Sequence, residues 1–493
     1  MTLKPLLVVI LGCAALHARA EDLAAVYQRA LAVDPQMRQA EAQHLATRET
    51  HTQALLAMVP LQSEVTKTWS GVGSEHGSTP VIGSLSLNVN LFSWASWVNL
   101  KQSNAIVAQG EANYLAAQYD LIARVAQKYF DVLAAQDTLE AQQVALQSVS
   151  RQLEQAERRF EVGLIAITDV QIARASRDSS AAAVIAARRA LSSAQEQLRA
   201  ITGEKYSALA APREDMPLLT PDPASEDAWV AAAMEQNAAL NASRMAAEIA
   251  RDQYLAAIGG HLPSINVSAS RSWDIGNGRD TTPSSIPGIG NIGSTTNTSD
   301  ILWQVGVSVP IFAAGATQSK VRQAHYTLNA ARAALDVVSR QTEQQARDAY
   351  QGVISQIAQV QALKQAVESN RVSLAATEAG YEVGTKTAVD VLTARQLLVQ
   401  AQVNYAQAKY GYLNNVVALR QAAGNLDRKT IDQINGWLAP PVPTPSTEPT
   451  APTMPTAPTA PAAPAEPAGP AAPAVPAAPA GEPAAAPAPS VQN

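Results

Sequence analysis

The chain has 493 residues, 47% hydrophobic and 16% charged, with a net charge of −6 and a single cysteine. The modest charge and the lack of a basic cluster argue against nucleic acid as a partner. Six histidines without metal-ligand spacing, and no Gly-rich phosphate loop or nucleophile elbow, argue against an enzyme and leave no cofactor to expect.

Lys4 precedes a short apolar run that ends at Ala18-Arg19-Ala20, the pattern of a secretory signal peptide over residues 1–20. Cys13 lies inside it, so the exported chain has no cysteine. A lipoprotein signal with Cys13 acylated is the alternative reading. Beyond residue 20 no run reaches the ~18 apolar residues of a membrane-spanning helix. Entry into a membrane would then require strands of a closed barrel.

The first predicted element is an amphipathic helix over residues 23–58, ended by Pro60. Two alternating segments follow, 65–69 and 85–91, separated by a polar loop over 71–83. In the second, Leu85, Leu87, Val89 and Leu91 alternate with Ser86, Asn88 and Asn90, as in a strand with lipid on one face and water on the other. A helical pattern without proline then covers 96–159, turns at Val162-Gly163-Leu164 and returns over 168–201.

The same series recurs. A helix over 226–258 stops at Pro263, 203 residues after Pro60. Strands are expected over 265–270 and 305–311, flanking a Gly/Ser/Thr/Asn/Pro-rich loop over 274–300. A second long helix over 316–380 turns at Val383-Gly384-Thr385 and returns to residue 423. The turns match most closely, with Phe160-Glu161-Val162-Gly163 answered 221 residues on by Tyr381-Glu382-Val383-Gly384. Five of the seven tryptophans (Trp69, Trp94, Trp97, Trp273, Trp303) lie in or beside the four strands, where an interfacial aromatic girdle would sit.

Four strands cannot close a barrel, since the smallest membrane barrels have eight. The expected fold is therefore an α+β membrane protein of two repeats (21–215 and 216–438), each giving two transmembrane strands and a long helical hairpin. Two copies would give eight strands, filled by their own side chains; a homotrimer, the preferred reading, would form a 12-stranded barrel with an opening, continued by a helical tunnel in the periplasm. Residues 439–493 form a Pro/Ala-rich tail in which every third residue from Pro449 to Pro479 is proline, the period of polyproline II. It reads as a passive low-complexity segment or as a periplasmic spacer.

Residues 163–171, Gly260-His261-Leu262-Pro263, Val307-Ser308-Val309-Pro310-Ile311 and 384–392, in this order, resemble the TolC family of outer-membrane efflux ducts. The resemblance implies a trimeric outer-membrane channel in contact with lipid. It also implies a periplasmic adaptor and an inner-membrane pump of the ABC or RND type as partners. By position it makes Thr168 and Asp169 partners of Tyr381 and Lys386 in a periplasmic latch, and Asp390 part of a carboxylate ring. Where the family often has a second aspartate, this chain has Thr393, which implies a weaker ring. The adaptor would dock near Gly163, Leu164, Gly384 and Thr385. The residues by themselves equally allow a plain helix start, with Thr168 or Asp169 as N-cap and Asp390 in a first turn. The rival reading of the whole chain is a periplasmic adaptor or coiled-coil scaffold without a pore.

Overall fold

The computed structural model describes residues 21–58, 61–67, 81–206, 208–213, 215–274, 285–286, 290–291 and 301–438. The leader with Cys13, Pro60, Trp69, most of the two strand-connecting loops and the proline-rich tail lie outside the described residues.

Each repeat opens with two helices where one was expected. The first repeat has α1 (Leu23–Val33) and α2 (Pro35–Leu56). Asp34 breaks the run, because its ψ of 121° cannot continue a helix and its carboxylate accepts from the Met37 N–H at 3.2 Å. Pro35 then occupies the first helical position, where its missing N–H costs nothing. Asp34 is buried and meets Arg124 at 2.9 Å.

The first strands are β1 (Leu61–Lys67) and β2 (Val81–Phe92). They lead into α3 (Trp94–Glu161), 68 residues long and hence about 102 Å, which begins at the Ser93 N-cap. The chain returns along α4 (Ile167–Thr202), which Gly203 ends at φ +76°.

The second repeat opens with α5 (Glu226–Gln236) and α6 (Ala238–Ile258), broken at Asn237, which caps α6 through the Leu240 N–H at 3.0 Å. Its strands are β3 (Ser264–Asp274) and β6 (Leu302–Ser308), with the two-residue strands β4 (Ser285–Ile286) and β5 (Gly290–Asn291) between them. The long hairpin is α7 (Ala316–Glu382) and α8 (Ala388–Ala422), and α9 (Arg428–Gly436) follows.

The main sheet has the order β1-β2-β3-β6, antiparallel throughout. Its central pair joins the repeats, from Ile82 opposite Asp274 to Phe92 opposite Ile265, with a bulge between Asn90 and Phe92. Among the described residues β1 and β6 are the outer strands, each paired with a strand on one side only. Val65, Trp303, Val305 and Val307 are more than half exposed, as an apolar sheet face without a covering layer must be. Among the described residues no helix is long and apolar enough to cross a membrane.

The core lies about midway along α3, roughly 48 Å from its turn. There α1, α3, α4, α8 and α9 converge on Tyr129, Phe130, Leu133, Leu198, Leu413 and Ile434. Tyr129 meets Phe130 edge-on at 5.6 Å, and Phe130 lies 6.2 Å from Tyr410. Both buried phenols have partners: Tyr129 donates to the Ala210 carbonyl and Tyr410 to Asp137, each at 2.7 Å. Burial raises both hydroxyls well above the usual tyrosine range, so they stay protonated as donors.

Candidate functional site

The two hairpin turns share one local structure. In the first, the Gly163 N–H reaches the Phe160 carbonyl and the Leu164 N–H reaches that of Arg159, both at 2.9 Å. In the second, Gly384 reaches Tyr381 at 3.2 Å and Thr385 reaches Gly380 at 2.9 Å. This is the Schellman C-cap, which needs a left-handed residue, and Gly163 (φ +77°) and Gly384 (φ +80°) supply it. The tight stop leaves Val162, Leu164 and Val383 about 70% exposed. Gly163, Leu164, Gly384 and Thr385 therefore form open turn surface.

The helices that return from the turns begin differently. Thr387 and Asp390 make a full capping box on α8: the Asp390 N–H donates to Thr387 Oγ1 at 3.3 Å and the Thr387 N–H to Asp390 Oδ2 at 2.9 Å. The Thr387 N–H foremost, and the Thr387 hydroxyl donating to the same oxygen at 2.8 Å, hold the Asp390 carboxyl below the usual aspartate range. On α4 the cap is Ala166, which has no side-chain acceptor. Neither Thr168 nor Asp169 is the N-cap; both lie in the first turn, one and two residues past the helix start. Asp169 matches Asp390 in position and has no side-chain partner among the described residues. Thr393, one turn beyond Asp390, bonds back to the Val389 carbonyl at 2.9 Å.

Within one chain Asp169 and Lys386 do not meet. Tyr381 instead lies under the Arg159 guanidinium, 5.3 Å from its ring centroid, and this contact links the two hairpins. Each hairpin is also pinned across its own arms: Arg174 to Glu157 at 3.0 Å in the first and Arg395 to Glu378 in the second. The 221-residue offset carries Glu157 onto Glu378 and Arg174 onto Arg395, so the signal was there to be read.

The tryptophans fall on different elements. Trp303 stands in β6, 72% exposed, and Trp273 belongs to β3. Trp94 and Trp97 belong to the first turn of α3. Trp97 is half exposed, whereas Trp94 donates its indole N–H to the Leu255 carbonyl at 3.0 Å. Among the described residues no group of His, Asp, Glu or Cys side chains is placed to hold a metal.

The model of the outer membrane efflux protein family matches residues 26–204 and 229–425. The outer membrane protein TolC of Vibrio cholerae is 35% identical over 422 residues, which span 85% of this chain and 94% of that protein. The alkaline protease secretion protein AprF of Pseudomonas aeruginosa is 27% identical over 453 residues, 88% of this chain and 92% of that one. The crystal structure of the outer membrane protein VceC of Vibrio cholerae has a TM-score of 0.66 at 21% identity, covering 82% of this chain and 97% of that one.

The chain belongs to the outer membrane efflux protein family. It is an outer-membrane channel with a large periplasmic helical part.

Proposed function

We propose that three copies close a 12-stranded barrel and continue below it as a helical tunnel, gated where the hairpins turn. The observation that carries this reading is the four-stranded sheet, whose outer strands β1 and β6 each pair on one side only among the described residues. In lipid those edges must pair with other copies, and three copies leave an opening where two would fill with side chains. A periplasmic adaptor docks at the exposed turns around Gly163, Leu164, Gly384 and Thr385, and an inner-membrane pump of the ABC or RND type supplies the cargo. The similarity to an alkaline protease secretion protein supports proteins among the cargo, beside small molecules. The protein has no catalytic activity in this reading. Trp97, Trp273 and Trp303 contribute to the interfacial girdle, and Trp94 to the joint beneath the sheet.

At the periplasmic end, Asp169 has no side-chain partner among the described residues of its own chain and is available to Lys386 of a neighbouring copy. Exposed pairs of this kind contribute about 0–1 kcal/mol each. A docking partner can therefore release a threefold set of them. Three Asp390 carboxylates line the constriction and favour cations.

The test is single-channel conductance in planar bilayers for the wild type and for Asp169→Ala/Lys386→Ala. A small conductance that grows in the double variant supports the gated duct. An equal, large conductance in both removes the latch and keeps the channel. No conductance from folded protein removes the pore.

A further inference from the structure

The seam between the repeats supplies a template for the seam between copies. Inside the chain, α3 receives α6. Lys101 reaches the fully buried Asp252 at 3.0 Å, and the Gln102 amide donates to the Ile249 carbonyl at 3.1 Å. Val98 and Ala105 are buried on the same stripe of α3.

Both partners of this seam have equivalents elsewhere in the chain. The long helices α3 and α7 end at Glu161 and Glu382, 221 residues apart. Counting back along these uninterrupted helices brings Lys101 onto Arg322, Gln102 onto Gln323, Val98 onto Ser319 and Ala105 onto Tyr326. The caps Asp34 and Asn237 fix the other offset at 203. That offset brings Asp252 onto Glu49 and Ile249 onto Ala46. The acidic, basic and amide groups of the internal seam thus all recur, but on surfaces that do not meet within one chain.

Those surfaces are bare. Leu45, Ala46, Glu49 and Thr52 on α2 are all exposed, although their α6 equivalents are covered or partly covered. On α7, Ser319, Arg322, Gln323 and Tyr326 are exposed and line an open groove of about 530 Å³. Among the described residues neither Glu49 nor Arg322 has an ionic partner. The sheet agrees with this arrangement, since β1 follows α2 and β6 precedes α7, and both are its outer strands among the described residues.

We infer that the groove on α7 seats α2 of the next copy, with Arg322 paired to that copy's Glu49 and Gln323 donating to the Ala46 carbonyl. This rests on the three-copy reading above and adds to it the chemistry of the interface. Charge complementarity and the repeat both select a second copy of this chain as the occupant.

The exported chain is expected to lack cysteine, so paired cysteines report the seam cleanly. Glu49→Cys/Arg322→Cys, treated in membranes with a short bis-maleimide, should give a ladder ending at three chains on a denaturing gel. Lys101→Cys/Asp252→Cys, treated alike, should stay at one chain. Charge reversal tests the pair itself: Glu49→Arg and Arg322→Glu should each lower the temperature at which the oligomer dissociates, and the two together should restore it. Light scattering in detergent separates the failures. An oligomer of three with no ladder overturns this seam and leaves the channel reading standing. A ladder without rescue in the double reversal overturns the ion pair. A single chain in detergent overturns the three-copy reading and the seam with it.

Discussion

Arg395 binds Glu378 across the second hairpin, 17 positions away, and Arg174 binds Glu157 across the first at the same separation. The equivalent pairs differ in setting. Arg395 keeps only 14% of its side chain exposed, against 53% for Arg174. Removing Arg395 should therefore cost about 1–2 kcal/mol, because a half-buried carboxylate loses its partner, while removing Arg174 should cost about 0–1 kcal/mol. Thermal melting of Arg395→Ala and Arg174→Ala followed by far-UV circular dichroism checks the order. Equal losses would mean that burial does not set the strength of these pins.

The capping box predicts a difference between the returning helices. Thr387→Ala should destabilise α8 by about 0.5–2 kcal/mol, and Ala166→Thr should stabilise α4 by about 0.5–1 kcal/mol by giving Asp169 the hydroxyl that Asp390 already has. The first loss should depend on pH. The Asp390 carboxyl titrates below its unfolded value of 3.8, so its contribution is present in full above that value and is lost as pH falls through the folded value. The gap in melting temperature between wild type and Thr387→Ala should hold from neutral pH down to about 5 and narrow below 4. A gap unchanged at pH 3 would detach it from this carboxylate.

The Arg159–Tyr381 contact predicts which changes loosen the periplasmic end. A cation above a ring contributes about 0.5–1 kcal/mol at an exposed site. Arg159→Ala and Tyr381→Ala should each raise single-channel conductance, and Tyr381→Phe, which keeps the ring, should not. If Tyr381→Phe matches Tyr381→Ala, the hydroxyl carries the link and the guanidinium is incidental.

The long hairpins and the four strands were legible because their signals are periodic: alternation over 85–91, uninterrupted helical spacing over 96–159, and a turn repeated at an offset of 221. The breaks at Asp34 and Asn237 were missed because apolar spacing continues through them. Asp34-Pro35 carries a start signal that pattern alone overlooks, and the offset of 203 would have carried it to Asn237. The chemistry at the turns was legible in part. Gly163 and Gly384 announced the C-caps, whereas Arg159 over Tyr381 depends on how two hairpins 221 residues apart lie together, which no local pattern encodes.

Glycines with the same backbone angle should respond differently to a methyl group. Gly163, Gly384 and Gly424 have φ of +77°, +80° and +73°. A Cβ on Gly163 or Gly384 would meet nothing within 4 Å, so alanine there should cost only the left-handed strain, about 1–2 kcal/mol. At Gly424 a Cβ would lie 2.4 Å from the Gln236 carbonyl oxygen and 2.9 Å from the Asn237 nitrogen, both backbone atoms with no room to give. This is where the end of α8 meets the break between α5 and α6, and where the Asn237 amide donates to the Ala422 carbonyl at 3.0 Å. Gly424→Ala adds steric displacement to the same strain, so it should cost about 3 kcal/mol or more and weaken the Asn237 cap with it. Melting temperatures of the three alanine variants decide the matter. If Gly424→Ala falls in line with the two turn glycines, the close approach of α8 to that break is looser than its geometry implies.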